Sequence, residues 1–147
     1  MKALKAVLLD VDGTLVDSND AHAQAWLEVL QSNGYAATFE QVRRLIGEGG
    51  DKLIPQITRL APESHEAKRL GVERGSLFKR VYLPQLRPFP KAEALVRRFS
   101  EAGFKLVVAS SATRDELRPL LELCGALRFI DHETSADDAS HSHSAPC

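Results

Sequence analysis

Two short stretches of the chain are almost continuously apolar, whereas most of the remainder repeats apolar residues at helical spacing. The stretches are Lys5–Val11 (KAVLLDV) and Lys105–Ala109 (KLVVA). Runs of this length predict strands that are buried on both faces of a parallel sheet. Arg128–Ile130 is the candidate for a third strand.

Helical spacing dominates the region between the first two strands. The first helix is predicted to begin at Ser18 or Asn19, either of which can cap it, and to end at Asn33 before Gly34. Further helices are predicted over Phe39–Ile46, Asp51–Leu60, Ser64–Leu83, Lys91–Ala102 and Thr113–Leu123.

Local signals refine these boundaries. Proline is tolerated only near the first turn of a helix, so Pro55 predicts a helix that begins shortly before it. Thr113 and Glu116 have the spacing of a capping box. The segment Asp131–Cys147 is polar and aperiodic, which predicts a flexible tail. Several residues of this segment are of types that bind metals, but they do not have the spacing of a zinc site. They are His132, Asp137, Asp138, His141, His143 and Cys147.

The elements follow one another as strand, helical block, helix, strand, helix and strand. This order favours parallel βα units with a helical insertion after the first strand. We therefore predict an α/β fold with a Rossmann-like core formed by residues 1–17 and 87–147. Residues 18–86 are predicted to form a separate α-helical domain.

Composition excludes several classes of protein. A net charge of −1 over 147 residues argues against binding driven by a nucleic-acid backbone. No apolar run approaches the roughly 20 residues that span a bilayer, and the N-terminal apolar run meets Asp10 too soon for a signal peptide. Two cysteines, Cys124 and Cys147, are too few for a disulfide framework. We therefore expect a cytoplasmic protein that binds neither nucleic acid nor membrane.

The strongest chemical signal is Asp10-Val11-Asp12-Gly13-Thr14, at the end of the first strand. Strand alternation directs both carboxylates to the same side, where they repel each other unless a cation such as Mg²⁺ intervenes. One carboxylate could then attack a phosphoryl group while the other exchanges protons. The alternative is a pair of turn-forming aspartates.

The segment DVDGTLVDS, which contains these residues, resembles the first motif of the haloacid dehalogenase (HAD) superfamily. Similarity to the β-phosphoglucomutase and phosphoglycolate phosphatase branch extends over most of the chain, from Lys5 to about Asp138. The further segments that carry it are DSNDAHAQAW (17–26), IGEGGDKL (46–53), RPFPKAEAL (87–95) and VVASSATRDEL (107–117). The resemblance implies a HAD-like core with residues 18–86 as its cap domain.

The resemblance also implies a role for each matching residue. Asp10 would be the nucleophile that forms an aspartyl-phosphate, and Asp12 the general acid and base. Both would hold Mg²⁺, Asp10 by its carboxylate and Asp12 by its backbone carbonyl. Ser110 would hydrogen-bond the transferring phosphoryl group, with Ser111 and Thr14 assisting. For Ser110 the alternative is an ordinary strand-to-helix turn.

Two residues of the helical block are weaker substrate-binding candidates. His22 lies early on the first helix, where related enzymes have a histidine near the active site; the alternative is a solvent-facing histidine. Lys52 follows a glycine-rich loop and could reach the distal group of a substrate; the alternative is a solvated lysine.

The chain departs from the family pattern near its end. His143 stands where the third motif has a lysine, Cys147 stands where it has an aspartate, and no acidic fourth motif follows. We therefore expect a C-terminally truncated core in which the Asp10 strand is an exposed edge. A missing electrostatic stabiliser typically costs ~10²–10³ in rate, so impaired turnover is expected.

Three functions remain open at this point. The first is a Mg²⁺-dependent phosphohydrolase that acts on small phosphorylated metabolites through an aspartyl-phosphate. The second, within the same branch, is a sugar phosphomutase, which forms the same intermediate. The third is a non-catalytic fragment that retains only phosphate or partner binding, including self-association through the exposed sheet edge.

Overall fold

A computed structural model describes residues 5–139. The expectations placed on His141, His143 and Cys147 therefore lie outside the described residues. The described residues form three strands, β1 (Ala6–Leu9), β2 (Lys105–Ala109) and β3 (His132–Thr134). The α-helices are α1 (Asn19–Ser32), α2 (Phe39–Leu45), α3 (Gly50–Thr58), α4 (His65–Leu77), α5 (Ala92–Glu101), α6 (Arg114–Leu123) and α7 (Ala136–Ala139).

The three strands form one parallel sheet in the order β1-β2-β3. In its register, Leu9 pairs with Val108 and Val108 pairs with Glu133. Parallel neighbours in register direct their side chains to the same face, and on this face Leu9 and Val108 are buried. The predicted α/β class with a parallel sheet is confirmed.

The chain divides into two compact units. The first, the sheet unit, comprises the described residues of Met1–Asp17 and Arg87–Cys147, and the second, the helical unit, is Ser18–Leu86. The helical unit has its own apolar core, in which α1, α2, α3 and α4 meet. Its buried members are Ala23, Trp26, Val29, Leu30, Val42, Leu53, Ile54, Ala67 and Leu70.

The prediction that the first strand is buried on both faces is wrong. Within the described residues β1 has a single neighbour, β2, and so forms an edge of the sheet. Leu8, which shares a face with Ala6, is 70% exposed, whereas the following Leu9 is buried. The strand is therefore packed on one face only, and it is shorter than Lys5–Val11.

The third strand lies elsewhere than predicted. Arg128 lies inside a 3₁₀ turn, Leu127–Phe129, and Ile130 directly follows it, whereas the strand is the polar segment His132–Thr134. A short strand at a sheet edge needs few apolar residues, because its hydrogen bonds to β2 define it. Part of the predicted flexible tail is thus ordered, as β3 and α7.

Two local predictions about helices are also wrong. Pro55 lies in the second turn of α3, not near its first turn. Thr113 is the N-cap residue of α6, but its side chain makes no capping hydrogen bond, so the predicted capping box with Glu116 does not form. Ser18 is likewise the N-cap residue of α1 without a side-chain capping bond.

The helix predicted over Ser64–Leu83 is helical throughout but changes type along its length. After α4 the chain continues as a π-helical turn, Phe78–Tyr82, and a short 3₁₀ turn, Leu83–Gln85. Phe78 is fully buried at this junction. Among residues 5–139, no helix has the length and apolar character needed to cross a membrane.

Candidate active site

The turn that follows β1 is held by one carbonyl group. The carbonyl oxygen of Val11 accepts hydrogen bonds from the backbone N–H groups of Thr14, Leu15 and Val16, at 3.1, 2.9 and 3.1 Å. Gly13 sits within this turn at φ +73°, in the left-handed region where glycine carries no steric penalty. The sequence Asp-Val-Asp-Gly-Thr therefore folds into a tight turn that begins where the strand ends.

Asp10 and Thr14 face each other across this turn. The Thr14 hydroxyl donates a hydrogen bond of 2.9 Å to Oδ2 of Asp10. Both side chains are exposed, and Asp12, between them in sequence, is half-buried. A carboxylate that is exposed yet oriented by a neighbouring hydroxyl is suited to attack an incoming electrophile.

Ser110 lies at the same edge of the sheet as Asp10. Asp10 directly follows Leu9 and Ser110 directly follows Ala109, and the strands that end at these residues are parallel neighbours. The Ser110 hydroxyl oxygen accepts a hydrogen bond of 3.0 Å from the Ala112 backbone N–H. Ser111 is exposed, and α6 begins three residues later. This edge is where open α/β sheets bind ligands.

A further segment, which sequence reasoning missed, contacts the residues between β2 and α6. The Asp137 carboxylate accepts a hydrogen bond of 2.9 Å from the Arg114 backbone N–H, at the first turn of α6. Asp138 pairs with the Arg114 side chain at 3.1 Å. No local pattern predicts these contacts, because they join residues 23 and 24 positions apart.

Asp10 and Asp12 offer oxygen donors that suit Mg²⁺. This ion is commonly held by one or two carboxylates and retains several waters. Across residues 5–139, no group of three or more His, Cys, Asp and Glu side chains is placed to hold a metal ion. Asp10 and Asp12 thus offer oxygen donors of the kind that Mg²⁺ accepts.

The two weaker candidates, His22 and Lys52, belong to the helical unit. His22 is buried and stacks on Phe78, with ring centroids 4.0 Å apart and an interplanar angle of 9°. The alternative of a solvent-facing histidine is therefore wrong. Lys52 is exposed in the first turn of α3.

The sequence matches a known family over almost its whole length. Residues 4–146 match the haloacid dehalogenase-like hydrolases. The chain belongs to the haloacid dehalogenase-like hydrolase family. This result confirms the family that the first-strand motif predicted.

Phosphatases are among the curated relatives of this chain. A phosphoglycolate phosphatase of Yersinia pseudotuberculosis is 28% identical over 99% of this chain and 65% of its own length. A validoxylamine A 7'-phosphate phosphatase of Streptomyces hygroscopicus is 24% identical over 97% of this chain. The chain spans about two thirds of the length of the first of these relatives, 65%.

Solved structures share the fold. A hydrolase from Pseudomonas syringae superposes with a TM-score of 0.81 at 24% identity, covering 92% of this chain and 62% of that one. CbbY from Rhodobacter sphaeroides, determined in complex with phosphate, gives a TM-score of 0.75 at 23% identity, covering 91% of this chain and 64% of that one. The HAD-like assignment of the α/β fold is thereby confirmed.

Proposed function

We propose that this chain is a Mg²⁺-dependent phosphohydrolase of small phosphorylated metabolites, with Asp10 as the nucleophile. The observation that carries the proposal is the hydrogen bond from Thr14 to Asp10 across the Gly13 turn. It orients an exposed carboxylate at the sheet edge where Ser110 also lies. The names of the phosphatase relatives support the reaction class.

In the first step, a carboxylate oxygen of Asp10 attacks phosphorus and the bond from phosphorus to the leaving oxygen breaks. An aspartyl-phosphate forms on Asp10 as this bond breaks. The protonated carboxyl group of Asp12 gives its proton to the leaving oxygen, so that a neutral alcohol departs. The Ser110 hydroxyl donates a hydrogen bond to the phosphoryl oxygens as their charge shifts.

In the second step, Asp12 acts as a base. Its carboxylate accepts a proton from a water molecule, which attacks phosphorus while the bond to Asp10 breaks. Inorganic phosphate leaves, and the two carboxyl groups return to their starting protonation states. Asp12 thus serves as acid and then as base. Two neighbouring carboxyl groups are needed because Asp10 carries the phosphoryl group while Asp12 exchanges the protons.

Mg²⁺ would be held by the Asp10 carboxylate and the Asp12 backbone carbonyl, and would supply positive charge beside an anionic phosphate. Thr14 holds the Asp10 carboxylate in one orientation, and Ser111 adds a hydroxyl and an N–H group on the phosphate side. A role of His22 and Lys52, which belong to the helical unit, in substrate recognition stays a prediction from the resemblance.

The experiment that tests this function is phosphate release from a panel of phosphorylated metabolites in Mg²⁺. We expect turnover below the common range of about 1–10³ s⁻¹, because His143 stands where the family's third motif has a lysine and loss of one electrostatic stabiliser typically costs ~10²–10³ in rate. Asp10→Asn should abolish release, and Asp12→Asn should lower it by at least about 10². Glu101→Gln, an exposed carboxylate at the end of α5, is the matched control and should leave release unchanged. Release that persists in Asp10→Asn contradicts the proposal.

One observation favours a second candidate function, phosphate binding without catalysis. Among residues 5–139, no group of three or more His, Cys, Asp and Glu side chains is placed to hold a metal ion, whereas the Ser110 hydroxyl and the N–H groups beside it can bind an anion without one. A chain that binds inorganic phosphate at equilibrium, yet releases none from any substrate in Mg²⁺, would support this candidate over the first.

A further inference from the structure

The loop between β2 and α6 is tied to the segment that follows β3. We call residues 110–114 the phosphate loop and residues 134–138 the clamp segment. The Ser110 N–H donates to the Thr134 carbonyl at 3.1 Å, and the Ala136 N–H donates to the Ala112 carbonyl at 2.9 Å. Two backbone hydrogen bonds, running in opposite directions, therefore join the two segments.

Side chains of the clamp segment complete this connection. Oδ2 of Asp137 accepts the Arg114 backbone N–H at 2.9 Å, and Oδ1 of Asp138 pairs with the Arg114 guanidinium at 3.1 Å. Arg114 is the first residue of α6. The end of the phosphate loop is thus held at its backbone and at its side chain by adjacent aspartates.

Asp138 is itself fixed by the clamp segment. Its Oδ2 accepts hydrogen bonds from the Ser135 backbone N–H at 2.8 Å and the Ser135 hydroxyl at 3.2 Å, and Ser135 is buried. The Ser135 N–H, together with Arg114, lowers the pKa of Asp138 below its usual value. A charged Asp138 anchors the turn from which Asp137 reaches the loop.

The position of the phosphate loop determines where the Ser110 hydroxyl points. Its oxygen accepts the Ala112 N–H at 3.0 Å, and a hydroxyl that accepts one hydrogen bond still has its own hydrogen to donate. Ala112 is in turn held through its carbonyl by Ala136. A shift of the clamp segment would therefore reach Ser110 directly at its backbone N–H, through Thr134, and at its hydroxyl, through Ala112.

We propose that Asp137 is a positioning residue that holds the phosphate loop, and with it the Ser110 hydroxyl, in its phosphate-binding arrangement. This inference rests on the proposed function, in which Ser110 binds the transferring phosphoryl group. Asp137 acts as a hydrogen-bond acceptor for the Arg114 N–H. Its negative charge is not the useful property, because a carboxylate near a phosphate site repels the anion.

Two substitutions separate these properties. Asp137→Ala removes the acceptor, whereas Asp137→Asn keeps an oxygen acceptor and removes only the charge. We expect Asp137→Ala to raise the KM for 4-nitrophenyl phosphate and the inhibition constant for inorganic phosphate by about tenfold, the effect of one lost hydrogen bond. Asp137→Asn should restore both constants to near the parent values.

Glu133 supplies a matched control. It pairs with Arg118 at 3.1 Å, so it also links the β3 region to α6, one helical turn beyond Arg114. Glu133→Ala removes a carboxylate of the same kind without touching the phosphate loop. We expect it to leave KM and the phosphate inhibition constant unchanged. If KM and the phosphate inhibition constant rise equally in Glu133→Ala and Asp137→Ala, the cause is a general loss of packing, and the inference is overturned.

Amide hydrogen exchange gives a readout that needs no turnover. In Asp137→Ala, the amides of residues 110–114 should exchange faster than in the parent, while Asp137→Asn and Glu133→Ala should keep the parent rates. Unchanged exchange in Asp137→Ala overturns the inference. If KM and amide exchange in Asp137→Asn change as much as in Asp137→Ala, the inference is also overturned. The negative charge of Asp137, and not its hydrogen bond, would then hold the loop.

Equilibrium binding of inorganic phosphate separates this inference from the proposed function. If the parent binds phosphate but shows no turnover that depends on Asp10, the phosphohydrolase proposal fails. The clamp is then judged by phosphate affinity alone, which Asp137→Ala should weaken and Asp137→Asn should restore. A parent chain that binds no phosphate overturns both proposals.

Discussion

The Thr14 hydroxyl donates a hydrogen bond of 2.9 Å to Oδ2 of Asp10, four residues earlier in the chain. The bond spans a turn in which the Val11 carbonyl accepts three backbone N–H groups. A side chain on a strand end would otherwise sample several rotamers. The tight turn therefore fixes the orientation of the carboxylate that we propose as the nucleophile.

Thr14→Val tests the value of this hydrogen bond. Valine has nearly the shape of threonine but cannot donate, so the Asp10 carboxylate loses its orienting partner. We expect kcat for phosphate release to fall about tenfold with little change in the thermal midpoint. Thr14→Ser, which retains the hydroxyl, should recover most of the activity.

Thr38→Val is the control for this substitution. Thr38 caps α2 in the helical unit and accepts the Gln41 N–H at 3.3 Å. Loss of this capping hydrogen bond should lower the free energy of unfolding by about 1 kcal/mol and leave kcat unchanged. A Thr14→Val enzyme with parental kcat would show that the hydrogen bond has no part in catalysis.

Gly13→Ala tests the backbone of the same turn. Gly13 has φ +73°, and an alanine forced into the left-handed region costs roughly 1–2 kcal/mol. We expect a lower urea midpoint together with reduced activity. Gly71→Ala is the contrasting change, because Gly71 lies within α4 and a Cβ there meets no atom within 4 Å. It should raise stability by about 0.5–1 kcal/mol.

The sequence correctly predicted a strand near Leu9 and the order of the helices, because these features arise from local patterns, but it overestimated the length and the burial of that strand. Glycine at position 13 favours the left-handed backbone conformation of a turn. The apolar runs around Leu9 and Val108 favour strands. The four helices of the helical unit were predicted for the same reason, because each segment has apolar residues at helical spacing.

What the sequence failed to predict depends on contacts between distant residues. The strand His132–Thr134 has no apolar pattern and exists because it pairs with β2. The expected capping role of Thr113 is taken in part by Asp137, whose carboxylate reaches the Arg114 N–H from beyond β3. No rule about neighbouring residues can identify such a partner.

Leu8 leads us to expect self-association of this chain. It lies on the edge strand β1 and is 70% exposed, and edge strands present unpaired backbone groups to other chains. Leu8→Lys should reduce the apolar surface and add a charge on that edge. Sedimentation velocity over a range of concentrations should show association in the parent that is weakened in this variant.

Val72→Lys is the matched control for that experiment. Val72 is also 70% exposed, but it lies on the helix α4, in the helical unit. If association is through the β1 edge, Val72→Lys should associate like the parent. If both lysine variants weaken association equally, the chains associate through apolar surface in general and not through the β1 edge. A parent that is monomeric at every concentration would contradict the expectation.

Asp131 gives a prediction for the pH dependence of stability. The Leu106 backbone N–H donates to it at 2.8 Å and, with Lys105 nearby, lowers its pKa below the usual 3.8. A carboxyl group with a depressed folded-state pKa stabilises the protein above its unfolded pKa, and this stabilisation is lost as pH falls through the folded value. Asp131→Asn should therefore lower the urea midpoint at pH 7, and the difference should shrink as pH falls below 3.8 and the Asp131 carboxyl group becomes protonated.

Lys105→Gln separates the two causes of this pKa shift. The backbone hydrogen bond is the larger cause, and the Lys105 ammonium lies 3.4 Å away and is exposed. We expect Lys105→Gln to have a smaller effect at pH 7 than Asp131→Asn. A difference between the parent and Asp131→Asn that stays constant from pH 7 to below 3 would contradict this account.

The most direct test of the account is whether phosphoryl transfer takes place on Asp10. The 147-residue chain is incubated with 4-nitrophenyl phosphate and Mg²⁺, quenched in acid, and its peptides are examined by mass spectrometry. We predict one added phosphoryl group on the peptide that contains Asp10. It should be lost on treatment with hydroxylamine and absent from Asp10→Asn. A phosphorylated peptide elsewhere, or phosphate release without any modification of Asp10, would contradict the central claim.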